Sequence, residues 1–231
     1  VKTPNDFGVR GLPPTHPELL DFLATEFVRS GWSIKSMHRL IMGSETYQQS
    51  SISSQAPVES KLAPELDTRS LYMQFSRRRL SAEEIRDSIL SISGELDREL
   101  AMEHPFPSPI NWGYTQHGPF NAIYDHNKRS VYLMTQRLKR HPYLALFDGA
   151  DPNSTTADRL GTTVPTQALY FLNDPFIYSK SEAWARRLIE QLESPSKRIE
   201  SAYAAAFARS ATQSEQSTAA AVPGGGVCRA S

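Results

Sequence analysis

The chain has 231 residues, 39% of them hydrophobic, with 25 basic and 25 acidic side chains and a formal net charge of zero. That length allows one or two domains with a sizeable core. The charge balance removes the basic footprint of a nucleic-acid binder, no apolar run reaches the roughly 18 residues of a membrane span, and the single Cys228 excludes an internal disulfide or a cysteine-rich metal site.

Residues 1–14 read as a loop, punctuated by Pro4, Gly8, Gly11, Pro13 and Pro14. Thr15 and Glu18 have the spacing of a capping box, in which each side chain satisfies a free amide at the helix start. Leu19, Leu20, Leu23 and Phe27 follow at helical spacing, and Ser30-Gly31 ends the segment. Ser33 caps a second helix with Ile34, Met37, Leu40 and Ile41 on one face, so the two form a helical hairpin.

Residues 48–67 are polar and read as a linker. Ser81 and Glu84 make a second capping box, and the helix they open is expected to run to about Leu100 with Ile85, Ile89, Ile92 and Leu96 inward. Residues 103–121 form a Pro- and Gly-rich loop carrying Trp112, Tyr114, His117 and Phe120. Residues 129–136 are the best strand candidate, and 142–147 suggest a short helical turn. Pro165 suits the first turn of a helix, with Thr163 near its cap. Asn173-Asp-Pro175 ends that helix and begins another, and Ser194-Pro195 opens a last one holding Ile199, Tyr203 and Phe207. From Ser210 the only sizeable aliphatic residues are Val222 and Val227, too few to offset ordering entropy, so 210–231 is expected to be a disordered tail. The composition of these segments predicts a mainly α domain with at most a small β element.

Several long motifs stand in order: Asn5-Asp-Phe-Gly-Val-Arg-Gly-Leu-Pro-Pro-Thr-His-Pro-Glu-Leu-Leu-Asp21, Gly31-Trp-Ser-Ile-Lys-Ser-Met-His-Arg-Leu-Ile41, Ser44-Glu-Thr-Tyr47, Arg78-Arg-Leu-Ser-Ala-Glu-Glu-Ile-Arg-Asp87, Arg129-Ser-Val-Tyr132, and Thr162-Thr-Val-Pro-Thr-Gln-Ala-Leu169 with Leu172-Asn-Asp-Pro-Phe176. Over residues 1–209 they resemble the planctomycete-type domain of unknown function number fifteen-fifty-three. The resemblance implies a piece of a large exported or periplasmic protein, in which a cytochrome c-like domain often comes first. It implies no reaction. The opening Val1 is expected to lie inside the domain, and the stretch after Arg209 departs from the family pattern in the manner of a frameshift or truncation.

No Cys-x-x-Cys-His motif is present, so no haem is expected in this chain and any haem belongs to another part of the parent protein. No two histidines have a compact metal-ligand spacing, so no metal site is expected, although His117 and His126 with Asp125 leave one conceivable. The polar candidates are Asp6, Arg10, His16, Arg79, Glu83 and Asp87. Arg77–Arg79 and the acidic residues after them read either as an anion or sugar-acid site, with Arg forks gripping a carboxylate or sulfate, or as an ion-pair network between packed elements. Trp112, Tyr114 and His117 read either as ring-stacking ligand contacts or as loop packing. Thr162, Thr163, Gln167 and Asn173 read as capping and buried hydrogen-bonding residues.

Two functions follow as expectations. One is an accessory domain that docks on other domains of its parent or on carbohydrate. The other is an enzyme acting on a glycan or related organic substrate through an Arg/carboxylate pocket. Neither involves nucleic acid or a membrane span in this chain.

Overall fold

The computed structural model describes residues 3–6, 8–51, 72, 74–102, 108, 110, 123–137, 139–159 and 161–221. It is mainly helical, as the patterning predicts, and resolves into two compact units, Val1–Arg79 and Leu80–Ser231. One domain spanning 1–209 was the expectation. The first unit holds a 3-10 turn, Gly8–Arg10, and two helices, α1 (Pro17–Arg29) and α2 (Ile34–Met42). The second holds α3 (Ala82–Ser93), a 3-10 turn at Ser130–Tyr132, α4 (Pro142–Leu146), α5 (Pro165–Asn173), α6 (Pro175–Gln191), α7 (Pro195–Phe207) and α8 (Gln213–Ala221).

α1 starts differently from its sequence pattern. His16 occupies the cap and Pro17 the first turn, with no side-chain cap bond. Proline gives up no hydrogen bond there, and the Thr15 hydroxyl pairs with His16 Nδ1 at 3.0 Å instead. The other end follows the expected signal. Gly31 lies at φ 71°, its amide donates to the Val28 carbonyl, and the Trp32 amide donates to the Phe27 carbonyl. This is a Schellman closure, and the Phe27 and Trp32 rings complete it edge to face at 5.3 Å.

The Ser81 capping box forms as predicted: the Ser81 hydroxyl accepts from the Glu84 amide and Glu84 accepts from the Ser81 amide at 2.8 Å. The helix stops earlier than Leu100, because Gly94 at φ 85° starts a second Schellman closure, with the Glu95 amide on the Leu90 carbonyl. A side chain at Gly94 would also meet Arg187 Nη1 at 3.0 Å.

The core of the second unit is Ala82, Leu133, Tyr143, Leu144 and Phe147, with Ile85, Leu146 and Tyr170 packed on it. Leu90 is completely buried. The Tyr143 hydroxyl donates to the Ala82 carbonyl at 2.7 Å, which pins α4 to the start of α3. Its ring meets Phe147 at 4.9 Å and Tyr170 at 5.5 Å. α5 enters through Gln167, whose Nε2 donates to the Leu146 carbonyl and whose Oε1 accepts from the Val164 amide. Asp174 both ends α5 and caps α6, accepting from the Phe176 amide at 2.9 Å.

Two expectations are corrected. The strand at 129–136 is absent: Ser130–Tyr132 is a 3-10 turn, and the described residues contain only one isolated bridge, Asp97 to Lys128. The Asp87 carboxylate accepts from both the Ser130 amide and hydroxyl, which locks the backbone into a turn. The tail is also not structureless throughout, since 213–221 is helical; 222–231 lies outside the described residues. Thr212 and Glu215 form a capping box, with the Glu215 amide on the Thr212 hydroxyl and the Thr212 amide on the Glu215 carboxylate. Arg209 forks onto both Glu215 oxygens at 2.7 and 2.8 Å while lying over the Tyr203 and Phe207 rings. Anchoring by a short polar network replaces the missing apolar face. The polar linker at 48–67 and the aromatic loop at 103–121 fall mostly outside the described residues.

The Arg209 hydrogen bonds, joined by those from Thr212, hold the Glu215 carboxyl at about 2, well below its ordinary range. A depressed carboxylate contributes stability above the ordinary pKa and loses it as pH falls through the folded value. The α8 anchor should therefore be intact at pH 5 and released between about pH 4.5 and 2. NMR titration of the Glu215 carboxyl should give a midpoint near 2. Arg209→Ala should return it toward the ordinary value.

Candidate functional site

The chemistry of the second unit gathers around Arg86, on the inner face of α3. The residue is 4% exposed, yet no carboxylate among the described residues pairs with it. Nη1 donates to the Lys128 carbonyl at 3.1 Å and the Ser130 hydroxyl at 3.3 Å, and Nη2 donates to the His126 carbonyl. The guanidinium lies 5.6 Å from the Phe176 ring centroid. Burial pushes its pKa down, opposed by the charges of Asp87 and Asp125. Arginine remains charged through such a shift.

A cavity of about 340 Å³ opens beside this guanidinium. Arg86 and His126 line it with Asp125, His141, Tyr143, Tyr170, Asp174 and Phe176, among others. His141 Nε2 lies 3.4 Å from Asp125 Oδ1. Burial pushes the imidazole below its usual pKa, and the Asp125 carboxylate opposes this only in part. His141 Nδ1 is buried without a hydrogen bond among the described residues. The neutral ring therefore keeps its proton on Nε2, facing Asp125. Burial pushes the Tyr170 hydroxyl well above the usual phenol range, so it remains a donor.

His126 is committed to the fold. Its Nδ1 accepts from the Lys128 amide at 3.2 Å, which places the proton on Nε2, 3.2 Å from the Tyr132 carbonyl. Both His126 nitrogens are thus spent on the backbone, and His117, the other histidine of the metal reading, lies outside the described residues. Among the described residues no group of three or more metal-ligating side chains forms.

The residues singled out from sequence fall into both units. In the first, Asp6 and Arg10 are exposed beside the opening 3-10 turn. His16 stacks at 5.3 Å on Tyr72, and no hydrogen bond or ion pair among the described residues joins Asp6, Arg10 and His16. Arg79 is exposed at the end of that unit, and neighbouring Arg77 donates to the Ser51 hydroxyl at 3.0 Å. In the second unit, α3 carries Glu83 and Asp87 one turn apart beside a shallow depression, but each serves a separate partner. Glu83 pairs with Arg159; burial raises its pKa, and the Arg159 hydrogen bond and charge outweigh this and lower it. Asp87 holds Ser130. Trp112, Tyr114 and His117 lie outside the described residues. Thr162 is exposed and not buried as expected, and donates from amide and hydroxyl to Asp148.

The cavity itself was not legible from local pattern. Arg86 was visible only as one charge on an alternating helix, and its acceptors lie 40 to 44 residues away. Asp174 and Phe176 were visible as a helix start, not as a wall.

If Asp87 serves the turn and not a ligand, Asp87→Ala should cost stability. It leaves the buried Ser130 amide and hydroxyl without their acceptor, a loss of about 2–3 kcal/mol. Urea unfolding should show it, and an unchanged midpoint would place Asp87 outside the structural network.

A family model described as PSD1, protein of unknown function (DUF1553), matches residues 1–222. The match includes α8. No curated protein and no solved structure matches the chain.

Proposed function

The chain belongs to the PSD1 (DUF1553) family of proteins of unknown function, and we propose that it is an interaction domain docking on neighbouring domains of a larger exported protein. One observation carries this reading. Every described residue that is buried lies in the second unit, and none of the described residues of the first unit is buried. In the α1–α2 hairpin, Leu23, Phe27 and Met37 are only half-buried, while Phe22, Val28, Trp32 and Ile34 are 54% to 67% exposed. Covering apolar surface yields about 25 cal/mol per Å², and an exposed apolar face of this kind marks a contact surface. The occupant is a protein surface with an apolar patch of its own. An exported or periplasmic location and a haem-bearing neighbour belong to the same proposal.

A second reading has its own observation. The Arg86 cavity combines charged, hydroxyl and aromatic groups in one place, as small-molecule sites do. This supports an Arg/carboxylate pocket that takes a carbohydrate or related organic ligand, built on Arg86 and not on Arg79.

The docking reading is tested on Phe22→Lys and Ile34→Lys, both at exposed positions. Each should leave the far-UV circular dichroism of the chain unchanged and weaken co-purification with the flanking domains of the parent at least tenfold. Loss of helicity would show that the stripe supports the hairpin itself. Unchanged co-purification would place the contact elsewhere. Either result contradicts the proposal.

A further inference from the structure

We infer that the Arg86 cavity is a binding site for a single neutral pyranose ring, the terminal sugar of a glycan or a free hexose. The inference rests on the second reading above, that the chain takes a carbohydrate, and it adds the site, the ligand's charge and the residues that read it.

The donor and acceptor inventory points to a polyol. Arg86 has five N–H groups, and the described residues supply acceptors for three. The Tyr170 hydroxyl lines the same cavity and makes no hydrogen bond to a described residue. On the acceptor side, Asp125 uses one carboxylate oxygen on His141, and Asp174 uses one on the Phe176 amide. Each has its second oxygen without a hydrogen bond among the described residues. Residues with unspent donors and residues with unspent acceptors thus line one space. A ligand whose every polar group both donates and accepts, as a sugar hydroxyl does, satisfies such a mixed set. A carboxylate or phosphate, which only accepts, does not.

Charge gives the same answer. The lining carries one cation, Arg86, and two carboxylates, Asp125 and Asp174. An anion would meet a net negative wall. A compact cation would sit against the Arg86 guanidinium. A neutral ligand avoids both penalties.

Shape selects a ring. Tyr143, Tyr170 and Phe176 form an apolar wall, suited to the C–H face of a pyranose. The volume of about 340 Å³ is at the small end of the roughly 300–1,000 Å³ found for small-molecule sites. That fits one ring, with the open side leaving room for a glycosidic link. Phe176 is held in place by Arg86 and by Lys180, whose ammonium lies 5.5 Å from its centroid and pairs with Glu95. The wall is therefore fixed before a ligand arrives.

The test is NMR titration of the full chain with the methyl glycosides of glucose, galactose and mannose, and with glucuronate. Two variants accompany it, chosen to spare the fold. Asp125→Asn changes an exposed carboxylate, and Tyr170→Phe removes only a hydroxyl. At least one neutral glycoside should shift the resonances of Arg86, Asp125, His141 and Tyr170, with a dissociation constant near about 1 mM, as befits a ligand of a dozen heavy atoms. Asp125→Asn should weaken it about tenfold by removing a charge-assisted hydrogen bond, and Tyr170→Phe by a smaller factor, with unfolding midpoints unchanged. Binding that shifts other residues, or that ignores both variants, overturns this site and leaves the carbohydrate reading intact. Glucuronate binding here in preference to every neutral sugar overturns the inference on charge. No binding by any of the four overturns this inference and the carbohydrate reading together.

Discussion

A buried guanidinium with no carboxylate partner among the described residues holds the second unit together. Arg86 projects from α3 and collects the carbonyls of His126 and Lys128 and the hydroxyl of Ser130. The next residue, Asp87, takes the amide and hydroxyl of that same Ser130. Two adjacent residues of opposite charge therefore fasten one irregular segment, the cation by its acceptors and the anion by its donors. Among the described residues the segment has one isolated bridge, Lys128 to Asp97, so these side chains supply what a longer ladder would have supplied. The consequences spread outward. The 126–130 backbone positions His126, the cavity forms against Arg86, and Phe176 is stacked under the guanidinium at the start of α6.

This arrangement explains what could be read from the sequence and what could not. Helix limits set by local rules were legible: the Ser81 capping box, the prolines at the starts of α5, α6 and α7, and the Gly31 stop. Where two local signals competed, the reading failed. Thr15 had the spacing of a cap, but Pro17 set the start of α1 one residue later and Thr15 turned to His16. Gly94 ended α3 although Leu96 continued the apolar period. At 129–136, alternating Val131, Leu133 and Tyr132 resembled a strand, but Asp87, more than forty residues earlier, imposed a turn. The α8 helix was hidden because its support is an Arg209–Glu215 pair and a Thr212 cap, and apolar counting does not register either. Its Thr-x-x-Glu spacing was the available signal.

The candidate sites divide along the same line. A local charge pattern placed Glu83 and Asp87 on one helix, and the structure spends them on Arg159 and Ser130. Among the cavity-lining residues, Arg86, Asp125, Tyr170 and Asp174 keep unspent hydrogen-bonding capacity among the described residues, and they come from three separate stretches of chain. The exposed apolar hairpin belongs to the first unit and the cavity to the second.

The central claim is that the Arg86 guanidinium organises this unit through uncharged acceptors. Urea unfolding of Arg86→Met tests it most directly, because methionine keeps much of the apolar stem and removes every donor. The loss strands two carbonyls and a hydroxyl, and the unfolding free energy should fall by about 3 kcal/mol or more. A variant as stable as the native chain would show that the buried arginine is incidental to the fold.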